Sequence, residues 1–239
     1  MGEKSPPDVG EKSRLSQSRI FLEGEANSWF ERNRVDHSLD GKVSSEVIEI
    51  TRVLHPHRDS IRSILEIGCS DGRKLEQLCG FFDATGAGID PSDTAVRSGN
   101  ERLQGSSLSL SVGLADRLPY SDSSFDLVHF GFCLYLVDRD TLCHSLQEAH
   151  RVLRPGGFLA ITDFDPAVPH SRPYHHYAGV FSYKRDYAAV LAHPGFYHLM
   201  HKYSFSHRQP YFDSDPDERI AVSVLYKELT NTGETPITL

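Results

Sequence analysis

No apolar run in this 239-residue sequence approaches the ~18 residues that a membrane-spanning helix needs. The first residues, MGEKSPPDVGEKSRLSQSR, lack the apolar stretch at the centre of a secretion signal. Gly2 is followed by Pro6 where a myristoylation signal carries Ser or Thr. Basic residues are in the minority, 25 Lys and Arg against 33 Asp and Glu, for a formal net charge of −8. There is no basic surplus or stripe, which argues against electrostatic grip on nucleic acid or an anionic membrane. Cysteine is sparse. Cys69, Cys79, Cys133 and Cys143 form no C-x-x-C pair and read as reduced, mostly buried thiols. A cytoplasmic location is expected.

What remains is an ordinary globular composition, 38% hydrophobic and 24% charged. That length and composition suit one domain with attachments. Residues 1–18 are polar and rich in Ser, Pro, Lys and Glu, and read as a mobile tail. Residues 230–239 read as a flexible C-terminus. Between them, 19–229 read as a single domain. Apolar spacing predicts helices over 21–35 and 44–54. Short β-rich runs predict strands over 63–67, 85–90, 108–114, 125–130 and 158–164. Helices are predicted over 73–82, 93–103 and 138–153, the last stopped by Arg154-Pro155-Gly156-Gly157. This alternation implies an α/β fold, a mostly parallel sheet with helices on both faces. A Pro/His/Tyr-rich stretch follows, then a helix over 184–192. Two β-like runs, 197–206 and 219–226, are expected to pair as an antiparallel hairpin at one sheet edge.

The strongest local signal is Ile64-Leu65-Glu66-Ile67-Gly68-Cys69-Ser70-Asp71-Gly72. A strand ends in an acid, and a glycine-rich turn then opens a helix. Such a turn lets a ligand approach the backbone and exposes free N–H groups. Eighteen residues after Gly72, the next strand ends in Gly88-Ile89-Asp90, followed by Pro91. Asp90 can accept hydrogen bonds from both hydroxyls of a ribose, or cap the helix starting near Ser92. Together the two features describe an adenosine pocket at the carboxyl ends of neighbouring strands.

Three further segments come in order: Gly113-Leu114-Ala115-Asp116-Arg117-Leu118-Pro119, Ser124-Phe125-Asp126-Leu127-Val128, and Arg151 to Phe158. From about Ile61 to Thr162 the chain resembles the class I S-adenosylmethionine-dependent methyltransferases, in particular the small-molecule kind known as methyltransferase type 11. The resemblance implies a Rossmann-like seven-stranded sheet. Residues 19–58 would form an N-terminal helical cap and 165–187 a substrate-side insertion. It implies that Glu66 and Gly68 lie against the methionine part of S-adenosylmethionine, whose product is S-adenosylhomocysteine, and that Cys69, Ser70 and Gly72 of the same turn also contact the cofactor. Asp90 and Pro91 would hold the ribose. Ala115, Asp116, Arg117 and Leu118 would surround the adenine, with Asp116 on its amino group. Phe130 would offer backbone to the methionine amino group, while Asp126 and the Arg-Pro-Gly-Gly turn would be structural. The family usually has glycine where this chain has Ser70. That departure keeps open a non-catalytic protein that only holds the cofactor.

The expected reaction is in-line methyl transfer to a small-molecule acceptor, with sugar or secondary metabolism as the setting. A macromolecular acceptor is the alternative. Gly131-Phe132-Cys133 lacks the Asn- or Asp-Pro-Pro-aromatic signature of amino-directed nucleic acid enzymes, and the acidic balance agrees. A nicotinamide dehydrogenase is disfavoured by the Asp116 segment and the terminal hairpin. If the acceptor needs a base, His175 or His176 in the insertion is the candidate, although both also read as solvated loop histidines. Tyr135 is a third candidate, or a packing residue. Trp29 and Phe30 either close a lid over the cofactor, with Arg32 or Arg34 at its carboxylate, or anchor the helix. No metal site is expected, since His198 and His201 would point to opposite faces of a strand.

Overall fold

A computed structural model describes residues 16–33, 43–192 and 195–229. Seven strands form one sheet in the order β3-β2-β1-β4-β5-β9-β8. The parallel strands are β1 (Ser63–Ile67), β2 (Thr85–Asp90), β3 (Leu108–Val112), β4 (Phe125–Gly131) and β5 (Leu153–Phe164). β9 (Arg219–Lys227) joins β5 antiparallel, and β8 (Tyr197–Ser206) closes that edge. The expected sheet and edge hairpin are both present. A separate two-stranded ribbon, β6 (His170–Pro173) with β7 (Phe181–Lys184), occupies the insertion. Neither strand carries an apolar pattern, because both are short and mostly unburied.

The central strands β1 and β4 are buried on both faces, which is why they read as nearly continuous apolar runs, whereas the edge strand β3 alternates and is mostly exposed. One core packs α3 (Ser45–Leu54) and α4 (Arg73–Phe82) against the sheet through residues such as Ile50, Leu54, Leu75 and Phe82. The other packs α6 (Leu142–Val152) and α7 (Tyr187–Ala192) on the opposite face through Leu146, Val152 and Tyr187. α5 (Asp93–Arg102) follows β2, its start capped by Ser92, whose hydroxyl accepts from Ala95 N–H at 3.0 Å.

Five boundaries depart from expectation, one being the helix predicted over 184–192, which starts at Tyr187 because Lys184 ends β7. The predicted tail, 1–18, overlaps α1 (Gln17–Ile20), which is capped by Ser16. The helix predicted over 21–35 is broken. A π-turn at Phe21–Glu25, in which Gly24 has φ 149°, separates α1 from α2 (Ala26–Asn33). α6 begins at Leu142, not at 138, because Asp138 is used elsewhere. Its carboxylate accepts from Gln17 N–H at 3.0 Å and from the Ser18 N–H and hydroxyl at 2.9 Å. Finally, β5 starts at Leu153, not at 158, and the Arg-Pro-Gly-Gly segment turns within it, unpaired and with Gly156 left-handed at φ 72°. Leu153 pairs with Phe125, and Arg154 is held by the Asp126 carboxylate. As expected, Asp126 is structural. It also accepts from the Arg62 and Ser63 backbone N–H groups at 2.8 and 2.9 Å. Residues 230–239, predicted flexible, lie outside the described residues.

Candidate active site

The cleft opens at the carboxyl ends of β1, β2 and β4, where the strand order reverses from β1 to β4. That is where open α/β sheets bind ligands. It encloses about 970 Å³ of non-protein space, open solvent included. Its floor and rim include Gly68, Ser70, Asp90, Pro91, Ala115 and Asp116, six of the residues expected at the cofactor.

The turn after β1 is shaped by backbone conformation. Gly68 and Gly72 are left-handed, with φ 75° and 78°. A Cβ on Gly68 would lie 2.6 Å from the Cys133 side chain, so only glycine fits that close approach. Ser70 is also left-handed, at φ 51°. This explains why the resembling family has glycine there, and it puts backbone strain of order 1 kcal/mol on the serine. Its N–H donates to Asp90 Oδ2 at 2.8 Å, and Ser92 N–H donates to Oδ1 at 2.9 Å. Each oxygen of Asp90 therefore retains acceptor capacity. Burial pushes the Asp90 carboxyl up to about 6, partly opposed by these two N–H groups.

The adenine-side segment is pinned from beneath by α6. Leu118 N–H donates to Glu148 at 2.7 Å, and Arg151 donates to the Leu118 and Tyr120 carbonyls at 3.0 and 2.7 Å. This corrects two expectations. Leu118 turns into the core and Arg117 turns to solvent, so neither lines the cleft. Cys69 and Gly72 also lie off the cleft surface. Cys69 packs against Gly88, and Gly72 packs against Leu110 at the start of α4. Phe130 is fully buried, and the next residues, Gly131 and Phe132, reach the cleft instead.

Glu66 lies under the floor with no exposed surface. Among the described residues, neither of its carboxylate oxygens has a hydrogen-bond partner. His129 Nδ1 lies 3.5 Å away, and Lys74 Nζ lies 4.0 Å away. The His129 Nε2 is 3.0 Å from the Thr162 hydroxyl. Lys74, which no motif singles out, lines the cleft. Its ammonium donates to the Gly131 carbonyl at 3.3 Å and lies 3.4 Å from Glu46. Burial opposes its charge, but Glu46 and Glu66 outweigh that and hold its pKa above the ordinary lysine value.

The roof is the N-terminal strap. Ser18, Phe21, Ala26 and Trp29 line the cleft from above. The strap is tied to both rims, to Asp138 on one side and through Asn27 on the other. Asn27 donates to Asp93 at 2.7 Å and accepts from the Ser92 hydroxyl at 2.7 Å. Gln17 exchanges hydrogen bonds with the Phe181 backbone at 2.7 and 3.1 Å, fastening the ribbon to the strap. Trp29 and Phe30 thus divide the two roles considered for them. Trp29 faces the cleft and Phe30 is buried as an anchor. Arg32 is paired with Glu25 at 2.6 Å and with the Tyr174 hydroxyl at 3.0 Å, away from the cleft. Arg34 lies outside the described residues.

Among the candidate bases, His175 and His176 sit on the exposed turn of the β6–β7 ribbon, outside the cleft lining. His176 packs edge-on against Tyr174 at 5.3 Å. The geometry does not bring either histidine to the cofactor. Tyr135 is in the wall, but burial raises its hydroxyl well above the ordinary tyrosine range, although Trp29 donates to it. It packs on Phe132 and Phe164 at 5.0 and 5.1 Å, which suits a wall rather than a base. Asp163, at the end of β5, is buried behind Tyr135 and accepts its N–H at 3.2 Å. Burial pushes that carboxyl up to about 8, so it is largely protonated at neutral pH.

A doubly flanked sheet, a glycine-shaped turn and an acid at the end of the second strand define a nucleoside-binding α/β protein. Residues 65–161 match the methyltransferase domain family, and over about that segment the chain is similar in sequence to several methyltransferases. It is 36% identical over 106 residues to a 27-O-demethylrifamycin SV methyltransferase of Amycolatopsis mediterranei, covering 42% of this chain and 38% of that one. It is 31% identical over 160 residues to a demethylmenaquinone methyltransferase of Lactobacillus johnsonii, covering 53% and 64%. The chain spans from about a third to under two thirds of the length of the curated relatives it matches. A Burkholderia thailandensis 1,6-didemethyltoxoflavin-N1-methyltransferase, solved with 1,6-didemethyltoxoflavin and S-adenosylhomocysteine, superposes with a TM-score of 0.69. The two chains are 15% identical, and the match covers 94% of this chain and 95% of the other. That likeness shows the Rossmann-like methyltransferase fold.

Proposed function

We propose that the chain binds S-adenosylmethionine in this cleft and transfers its methyl group to a small, largely apolar acceptor. The observation that carries the reading is Asp90. Its two carboxylate oxygens are each held by one backbone N–H and each keep acceptor capacity beside the cleft, one per ribose hydroxyl. Gly68 and Ser70 of the left-handed turn line the same cleft beside Asp90, so the backbone there is open to a ligand's close approach. The residues present therefore fit the cofactor. When bound, it supplies an electrophilic methyl on a sulfonium.

The protein's own part is alignment and exclusion of water. Phe21 and Trp29 roof the cleft, and Phe132, Tyr135, Leu136 and Val137 wall it. Phe132 is held in a left-handed conformation, φ 69°, with its ring against Tyr135, Phe164 and His207. Such a wall suits a flat or aliphatic acceptor. The acceptors implied by the relatives' names, a rifamycin, a quinone and a toxoflavin precursor, are of that kind. A reading as a transferase of secondary metabolism rests on them. None of the three base candidates lies at the cleft with a suitable proton affinity. The acceptor is accordingly one that releases its proton readily, such as a phenol, an enol or a ring nitrogen. The cytoplasm is the expected location of such a reaction, and no described helix is long and apolar enough to cross a membrane.

The test is thermal unfolding with S-adenosylhomocysteine, and with NAD as control, followed by a screen of phenolic and N-heterocyclic acceptors with labelled S-adenosylmethionine. The proposal expects stabilisation by the adenosyl ligand alone and label transfer to at least one acceptor. Stabilisation by NAD alone would overturn it. Stabilisation without transfer to any acceptor would favour the non-catalytic binding protein that Ser70 left open.

A further inference from the structure

Resting on that reading, we propose that the Tyr135 hydroxyl selects the acceptor, by donating a hydrogen bond to a carbonyl oxygen conjugated with the O–H or N–H group that becomes methylated. Tyr135 follows β4, lines the cleft and is only 7% exposed. Its hydroxyl oxygen accepts from the indole N–H of Trp29, which lines the same cleft. Among the described residues, the proton on that oxygen has no acceptor of its own. The neighbouring Tyr174 hydroxyl is engaged by Arg32 at 3.0 Å. A phenol is donor as well as acceptor, and a buried tyrosine O–H ordinarily finds a partner. Here the unspent donor belongs to a cleft wall, where a bound acceptor is the partner at hand. The burial that disqualifies Tyr135 as a base keeps it protonated, and so keeps it a donor.

The partner is not the reacting atom, because a donor there would occupy the lone pair that attacks. A second heteroatom is required, and conjugation decides which. When an O–H or N–H group is conjugated with a carbonyl, losing its proton spreads negative charge onto the carbonyl oxygen. A donor fixed at that oxygen stabilises the charge and acidifies the distant group. The acceptor's proton passes to solvent as the acceptor binds, and Tyr135 keeps its own. This accounts for a cleft in which no candidate base is suitably placed. The surroundings tolerate an anion. Burial pushes Asp163, behind Tyr135, up to about 8 and raises the Cys133 thiol, so both are mainly uncharged at neutral pH. Glu25 and Arg32 of the strap neutralise each other at 2.6 Å. The acids in the lining, Asp90 and Asp116, follow β2 and β3, on the far side of β1 from the β4 wall. Lys74, also in the lining, holds its positive charge.

The experiment titrates two flat bicyclic phenols into the full chain loaded with S-adenosylhomocysteine. Umbelliferone has its hydroxyl conjugated with a lactone carbonyl, and 2-naphthol has no carbonyl. The umbelliferone anion absorbs at longer wavelength than the neutral form, so absorbance reads the ionisation of the bound probe directly. At a pH where free umbelliferone is half ionised, the probe bound to the wild-type chain should be mostly anionic, a measurement that needs no variant. Tyr135→Phe keeps the ring packing and removes only the donor. It should weaken umbelliferone about tenfold or more, as expected for losing a hydrogen bond to a charged group, and return the bound probe toward its neutral form. The same variant should leave 2-naphthol within about twofold. Equal loss of both probes, no loss of either, or umbelliferone bound to the wild-type chain in its neutral form would overturn the proposal. So would failure of the wild-type chain to bind umbelliferone at all. Failure to load S-adenosylhomocysteine is seen before either phenol is added, and it overturns the cofactor reading and this proposal with it.

Discussion

Asp90→Asn isolates the ribose contact. In the structure one oxygen accepts from Ser70 N–H at 2.8 Å and the other from Ser92 N–H at 2.9 Å, which leaves each able to take one ligand hydroxyl. Hydrogen bonds to a charged group contribute about 1.5–3 kcal/mol each, so losing the charge under two of them costs roughly 2–5 kcal/mol of binding. That corresponds to at least a ~30-fold rise in Kd for S-adenosylhomocysteine. The carboxyl titrates at about 6, because burial outweighs its two backbone donors. Ribose hydroxyls donate to the ionised form, so binding lowers this pKa and affinity rises with pH. Taking Kd at pH 8 as reference, it should be roughly tenfold weaker at pH 5, where about a tenth of the group is ionised. Titration calorimetry between pH 5 and 8 reads both effects. Asp90→Asn should bind weakly and lose the pH dependence. A wild-type Kd that stays flat across that range, or an Asn variant that binds as tightly as wild type, would refute the reasoning.

Three further outcomes follow from the same geometry. Ser70→Gly relieves a left-handed serine at φ 51° and should raise the melting temperature by a few degrees, about 1 kcal/mol, without loss of S-adenosylhomocysteine binding. A fall in stability would show that the serine hydroxyl contributes more than its backbone costs. Asp138→Ala removes the acceptor for the Gln17 and Ser18 N–H groups and the Ser18 hydroxyl, so limited proteolysis should cut residues 16–33 faster. Unchanged cleavage would mean that the Asn27 and Gln17 ties suffice. Asp163 has a folded pKa of about 8, above its unfolded value. The folded state therefore holds a proton that the unfolded chain releases, and stability falls as pH rises from about 4 to 8, by at most ~1.4 kcal/mol per unit. Asp163→Asn should flatten that slope in denaturant titrations, and an unchanged slope would count against the buried protonated carboxyl.

Much of the fold was legible because its strands are short, buried and flanked by glycine or helix starts. β1, β2, α4 and β8 fall where their apolar spacing places them. The failures share a physical cause, a partner remote in sequence. Nothing local shows that Asp138 caps α1, so α6 was started four residues early. Nothing local shows that Arg154 meets Asp126, so Arg-Pro-Gly-Gly reads only as the stop of a helix, whereas it forms an irregularity within β5 between the paired residues Leu153 and Phe158. The cofactor turn was readable because glycine and acid spacing encode backbone geometry. Acceptor-side residues were not, since side-chain chemistry alone does not say which way a loop faces. His175 and His176 looked reactive and lie at an exposed ribbon tip. Lys74 carries no signal of its own in the sequence, and only the fold sets Glu46 of α3 3.4 Å from it. A lysine two residues past a glycine-rich turn, with an acid at the start of a preceding helix, is a weak signal that only the packing of α3 on α4 makes specific.

The cleft at the carboxyl ends of β1, β2 and β4 is assigned as an adenosyl-cofactor site. Calorimetric titration of the unmodified chain with S-adenosylhomocysteine at pH 8 tests it most directly. The account predicts saturable binding at one site per chain, competed by 5′-methylthioadenosine. No heat of binding and no competition at millimolar ligand would contradict it.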